Sequence, residues 1–388
     1  MENGYIKKDY KSIIKFAVNK FDFYRKYMGL KRMDVYIIRK FLGTFFFALG
    51  LILLIVVVFD ISERIEKFIE YKAPLKEIVF GYYMNFLPYF ANVFSPLFTF
   101  IAVIFFTSKL ATDTEIIALL STGVSFRRIL RPYIVSASVI AVLSFLLGAF
   151  IIPNANQKRI VFQKKYMGKN FVNKQDNIHL QLADTTYVYM SRFSVGSKVG
   201  YDFSIENFAD NVLKSKLISS KVEWDEDNKK WRIHNWKMRK FDGYKEEYTT
   251  GERLDTVLAF SPSELSEDPK RIKEQLTLPE LEDYIDKMKL RGNSNVVEFQ
   301  IEKYKMGVNA FATFILTVIG VSVSARKARG GMGWHLGVGL FLSFSYILFM
   351  QFSTVFAVNG GMNPLLAVWI PNILFTFVAA ATYKTAPR

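Results

Sequence analysis

Residues 109–125 read KLATDTEIIALLSTGVS, and in a helix Ile116, Leu119 and Leu120 fall on one face. Thr112 or Asp113 can cap such a helix. Glu115 then lies in its early turn, where the positive end of the helix favours an acid, and Gly123 is placed to end it. A short amphipathic helix of this kind supports two uses. Its apolar face can enter a groove of a motor protein while Glu115 pairs with a base, or it can lie flat on lipid. A second set of charges lies at 60–77, where Asp60 follows a long apolar run and Arg64, Lys67, Lys72 and Lys76 face five acids. An ionisable group at the depth of Asp60 is either functional or simply wet at the end of a span.

Most other chemistry is excluded by what the chain lacks. There is no cysteine, so disulfides, thiol catalysis and Cys-based metal sites are out. His179, His234 and His335 are scattered without ligand spacing, and they read as structural or solvated. No G-x-x-x-x-G-K-[ST] loop occurs, so the chain does not hydrolyse ATP through a P-loop. No cofactor or metal is expected, and any work must be driven from a partner chain.

The elements that position these residues are apolar runs. Residues 41–59 hold no charge, and comparable runs occupy about 78–108, 132–152, 306–325, 334–357 and 364–383. About 20 apolar residues cross a hydrocarbon core as a helix, so six spans are predicted. Pro88 and Pro96 predict a kink in the long second run. An intramembrane enzyme would need paired ionisable groups inside the spans, and the runs offer almost none.

The chain is 51 % hydrophobic yet 22 % charged, and the charge is segregated into the first 40 residues and one block at 153–305. The net charge of +16 lies beside the spans, where topology and anionic lipid explain it without nucleic acid. With the N-terminus inside, 20 Lys and Arg of the short segments fall inside and four outside. Both termini are therefore expected in the cytoplasm, with the 153–305 block on the far side. No cleavable signal peptide is visible. Residues 1–32 form a basic extension that reads either as an interfacial helix or as a frayed tail.

The outside block begins as a helical extension at 153–165 and then alternates with period two, as at 186–190 and 199–205. The Asp225-Glu226-Asp227-Asn228 turn predicts a hairpin between Val222-Glu223-Trp224 and Trp231-Arg232-Ile233. About eight to ten short strands point to a sandwich or jelly roll, with aromatics that either line an apolar groove or fill an ordinary core. Residues 261–275 read as a loop. A helix follows from Leu278, and another from about 294 leads into the fourth span.

Four stretches carry a family resemblance in their order along the chain. They are Met33-Asp34-Val35-Tyr36-Ile37-Ile38-Arg39-Lys40-Phe41, then Glu115 to Leu119 with Gly123, then Leu278 to Ile285 with Arg291-Gly292 and Glu302-Lys303, and last Gly360 to Asn372. With the layout of three spans, an outside β-domain and three spans, residues 33–388 resemble the LptF/LptG permease family, the transmembrane subunits of the lipopolysaccharide export ABC transporter.

The resemblance implies an α+β membrane protein with six transmembrane helices (3+3) and a periplasmic β-jellyroll between helices 3 and 4. The implied domains are spans 1–3 at 33–152 with a coupling helix at about 112–123, the periplasmic domain at 153–305, and spans 4–6 at 306–388. It implies a bacterial inner membrane protein that pairs with a second LptF/LptG-type subunit. An LptB-like cytoplasmic ATPase dimer would dock on Glu115, Ile116, Leu119, Leu120 and Gly123. Lipopolysaccharide would pass through the β-domain to an LptC/LptA-like bridge. Arg64, Lys67 and Lys72 are the candidates to meet its phosphates. Asp60 departs from the family, whose members often carry a basic residue there. Phe59-Asp60 with Phe68 leans towards LptG, and Lys109-Leu110 with Thr112 and Glu115-Ile116 leans towards LptF. The balance tips slightly to LptG. Other readings are a permease for another envelope lipid or lipoprotein, and a membrane scaffold with a periplasmic binding domain, which would have no need of Glu115.

Overall fold

The computed structural model describes residues 31–167, 176–210, 212–243, 245–262, 265, 269–290, 295–326 and 331–387. The basic extension up to residue 30, Arg291-Gly292 and the loop cations Lys327 and Arg329 lie outside the described residues. Among the described residues six helices are long and apolar enough to cross a membrane: α1 (Arg32–Glu70), α2 (Leu75–Thr112), α4 (Phe126–Tyr166), α7 (Val296–Ser324), α8 (Gly331–Asn359) and α9 (Pro364–Lys384). The short α3 (Glu115–Ser121) joins α2 to α4. Among the described residues a sheet and the small helices α5 (Pro269–Gln275) and α6 (Leu278–Leu290) lie between α4 and α7. The protein is thus an α+β membrane protein with a sheet domain inserted between its third and fourth spans.

Helices α2 and α7 form the centre of the bundle. One buried cluster joins α1, α2, α3 and α4 through Ile37, Phe41, Val103, Ile116 and Tyr133. A second joins α2, α7, α8 and α9 through Phe100, Ile104, Leu316, Tyr346 and Phe375. Gly320 lets α7 approach α2 closely, because a Cβ there would sit 2.8 Å from Val103 Cγ1. Such small-residue contacts replace the hydrophobic drive that lipid does not supply. Among the six spans α7 is the most buried and α1 the least, so α1 shows a long apolar stripe including Phe47, Leu54, Val58 and Phe59.

The second span is continuous in its helical pairing through Pro88 and Pro96. Both sit inside the α-helical stretch Met84–Thr112. The irregularity falls earlier, in a π-helical segment at Ile78–Tyr83. There the Asn85 side-chain amide donates to the Phe80 and Gly81 carbonyls at 2.9 Å, which meets groups that a widened ladder leaves free. A second π segment, Leu147–Ile151, lies in α4, which then continues to Tyr166 as expected.

The inserted domain is jellyroll-like and simpler than the predicted eight to ten strands. Six strands are described, β1 (Asp176–Ala183), β2 (Thr186–Ser194), β3 (Val199–Ala209), β4 (Val212–Asp225), β5 (Lys230–Asp242) and β6 (Lys245–Thr256), paired antiparallel in chain order. The count falls because predicted pieces merge: 231–233 and 236–241 are both parts of β5, and 246–250 belongs to β6 with the first part of the predicted 253–260 piece. The hairpin turn is where it was expected. Asp225 accepts from the Asp227 and Asn228 backbone and from the Asn228 amide, which fixes the reversal. The core of the domain is led by Trp231, wholly buried, whose Nε1 donates to the Phe260 carbonyl at 3.0 Å. Residues 269–275 correct the loop expectation: they are helical, and Pro269 opens α5 at the one position where its missing N–H costs little. Helix α6 begins with the returning half of a capping box. The Thr277 N–H and hydroxyl both donate to Glu280, at 2.8 and 2.7 Å, and pull the Glu280 carboxyl below the usual range.

Candidate functional site

The candidate residues fall at the two ends of α1. At the end away from the sheet domain, α3 starts at Glu115, its N-cap at Thr114 standing one or two positions after the predicted Asp113 or Thr112. Thr112 still belongs to α2, and Thr114 stands at the N-cap in a left-handed conformation (φ 62°) without a side-chain cap. Glycine ends the helix as expected. At φ 83° Gly123 donates to the Leu120 carbonyl and Val124 to that of Leu119, closing the last turn.

The apolar face of α3 is turned into the chain itself. Ile116 is 1 % exposed within the α1–α2–α4 cluster, and Leu119, Leu120 and Val124 pack half-buried against it. This differs from the expected insertion of that face into a partner. The face left open carries Glu115, Ile117 (48 % exposed), Ala118 and Ser121. Glu115 is thus held on a rigid mount, and Ile117, which sequence reasoning did not single out, is exposed on the other flank of the open face.

Beside α3 the start of α1 is clamped to the start of α4. Asp34 is 1 % exposed and takes two bonds of 2.6 Å from the Arg128 guanidinium, one to each oxygen. It also accepts from the Lys31 N–H at 2.7 Å, so one carboxylate closes the helix start and holds a neighbour. Nearby Phe126 packs against Tyr383, and Ala386 joins the same cluster. In the sequence Arg128 is only one of several basic residues in its segment. An acid inside a basic segment was the available signal, but Arg127, Arg128 and Arg131 were equally eligible partners.

At the sheet end Asp60 is neither wet nor open. Arg64 donates to its Oδ1 at 2.7 Å, and the Tyr82 and Tyr83 hydroxyls donate to Oδ1 and Oδ2 at 3.2 Å. Phe68, Phe86, Phe162 and Met167 wall the group in, and Arg64 also lies over the Tyr82 ring. Of the three cations proposed for phosphate, Arg64 is therefore engaged inside the protein. Lys67 and Lys72 are exposed, with no side-chain partner among the described residues. Nothing local in the sequence marks Tyr82 and Tyr83 as partners of Asp60, since the contact is made between two helices.

Behind this cluster α4 meets α5. The Asn156 amide donates to the Glu274 carbonyl at 2.9 Å, that of Gln157 donates to the Gln275 carbonyl at 2.8 Å, and Arg159 lies 3.8 Å from the Glu274 carboxylate. Burial pushes the Glu274 carboxyl above its usual range, and Arg159 offsets part of the rise.

These arrangements can hold helices together and present charge; among the described residues no cluster of three or more metal-ligating side chains occurs. The family model described as lipopolysaccharide export system permease LptF/LptG matches residues 35–385, from inside the first span to the end of the last. No curated protein matches the sequence. A match over nearly all of the spans and the inserted sheet settles the family, and the chain belongs to the LptF/LptG family of lipopolysaccharide export permeases.

Proposed function

We propose that this inner membrane protein is one of two permease subunits that draw lipopolysaccharide out of the membrane, driven by an ATPase dimer in the cytoplasm. In this reading both termini and α3 are cytoplasmic and the sheet domain is periplasmic, as the excess of positive charge on one side supports. The observation that carries the coupling role is the seating of α3. Ile116 anchors it among α1, α2 and α4 while Glu115 and Ile117 stay exposed, so a push on Glu115 is delivered to three spans at once. A loosely attached helix would absorb the motion instead.

Lipopolysaccharide carries phosphates above its acyl chains. Lys67 and Lys72, exposed at the sheet end of α1, are suited to meet the phosphates, and the exposed stripe of α1 is suited to the chains. Asp60 and Arg64 then act indirectly, by fixing the direction in which α1 leaves the membrane. The sheet domain receives the lipid and hands it to a bridge of similar periplasmic domains.

The test is a pull-down from mild detergent, wild type against Glu115→Arg, with ATPase activity and lipid assayed in the eluate. The wild type is expected to bring down an ATPase and lipopolysaccharide, and the charge reversal to lose the ATPase. Recovery of no ATPase by either form would overturn the reading and favour a scaffold.

A further inference from the structure

A cavity of about 370 Å³ lies at the sheet end, walled by α2, α4, α5, α7 and α8. It belongs to one chain and is separate from the Asp60 cluster. Its rim is charged and its open side is apolar, with Val93 52 % and Ile347 43 % exposed.

The charges around it are largely paired. Lys273 bonds Glu298 at 3.1 Å, Lys303 bonds Glu282 at 2.8 Å, and Arg159 faces Glu274. Two lining groups remain without an ion pair among the described residues, Glu302 and Lys305. They stand three positions apart on α7, which puts them on one helix face. They do not pair with each other, and both are only half-buried. A third group is unsatisfied. Asn156 also lines the cavity, is fully buried, and its Oδ1 accepts no hydrogen bond, although its Nδ2 is used. A buried acceptor left unmet is unfavourable, so a donor from a ligand is favoured there.

We propose that this cavity binds one zwitterionic phospholipid with a primary-amine headgroup, a phosphatidylethanolamine, from the leaflet at the sheet end. The ammonium donates to Glu302 and to Asn156 Oδ1, and the phosphate meets Lys305. The acyl chains leave past Val93 and Ile347. The chemistry separates this lipid from its neighbours. A choline headgroup has no N–H for Asn156, and a glycerol headgroup brings no cation to Glu302. The bound lipid tapes α7 and α8 to α2 and α4 beneath the sheet domain, and this role does not depend on the coupling assignment of α3.

The test is native mass spectrometry of the detergent-solubilised full chain, titrated with dioleoyl phosphatidylethanolamine, phosphatidylcholine or phosphatidylglycerol. A charge-assisted bond of about 1.5–3 kcal/mol predicts a preference for the ethanolamine lipid over the glycerol lipid of roughly tenfold or more. Glu302→Gln should abolish that preference, and Lys305→Met should weaken all three lipids. Val93→Trp, on an exposed position that leaves the charges intact, should block binding and serves if Glu302→Gln does not fold. Equal binding of the three lipids, or an unchanged preference in Glu302→Gln, would overturn the proposal. So would full displacement of the bound lipid by equimolar lipopolysaccharide, which would assign the cavity to the exported lipid.

Discussion

Helix α1 carries a buried aspartate at each end, and the two are satisfied in different ways. Asp60 takes its charge partner from its own helix, Arg64 at i+4, and only hydroxyls from α2. Asp34 takes its charge partner from α4, 94 residues away, in a two-pronged bond. Arg64 therefore stays with Asp60 whenever α1 is helical, whatever α2 does. Arg128 stays with Asp34 only while α1 and α4 hold their relative position. The sheet end of α1 is tied to its neighbour by two hydroxyl donors at 3.2 Å, longer contacts than the 2.6 Å bonds of the Asp34 clamp. The other end, beside α3, is held by ions.

That contrast can be broken by substitution. The largest effect is expected from Arg128→Met, which leaves Asp34 buried without its partner, at a cost of about 3–5 kcal/mol. A thermal melt of the purified protein would show it, and Asp34→Leu with Arg128→Leu should recover most of the loss. An unchanged melt in Arg128→Met would mean that the clamp does not hold the two helices. Arg64→Leu should cost less, about 1.5–3 kcal/mol, because Asp60 keeps two hydroxyl donors. Tyr82→Phe and Tyr83→Phe should each cost less again, about 0.6–1.7 kcal/mol, the range measured for hydrogen bonds between membrane helices. A cross-link between α1 and α2 at the sheet end should nevertheless form faster in the double Tyr→Phe variant, and an unchanged rate would show that the hydroxyls do not tether α1.

A control outside the spans sharpens the comparison further. Glu280 is held below its usual range by Thr277, so its contribution is present at neutral pH. That contribution disappears as pH falls through its lowered folded value. The melting gap between wild type and Glu280→Gln should thus be a few tenths to about 1 kcal/mol at pH 7 and close in acid, where both side chains are neutral.

The spans were legible because each is a long uncharged run, and a run of 19 apolar residues such as 41–59 has few alternatives. The sheet was legible in kind but not in count. Period-two alternation marks strands, yet nothing local says whether 231–233 and 236–241 are one strand or two. The α3 helix could be read from Glu115 to Gly123 with Ile116, Leu119 and Leu120 on its apolar face, but not that α1, α2 and α4 cover that face, because the covering side chains come from other helices. The Asp60 and Asp34 clusters were missed in proportion to distance. The i+4 partner is written in the sequence, and the phenols and Arg128 are contributed by other helices.

The π segment at Ile78–Tyr83 gives one of these contacts a history. A π turn is what remains when one residue is inserted into a helix that was already packed on both sides. Below it α2 keeps its phase with α1, and above it every side chain is turned by about 100°. Tyr82 and Tyr83 stand at that seam. Removing a single residue, Gly81 for instance, would return α2 to an unbroken spiral and re-aim the chain above the seam. An indel here is therefore a rotary adjustment, by which a lineage can redirect the entrance of the second span without altering any residue in the bundle below.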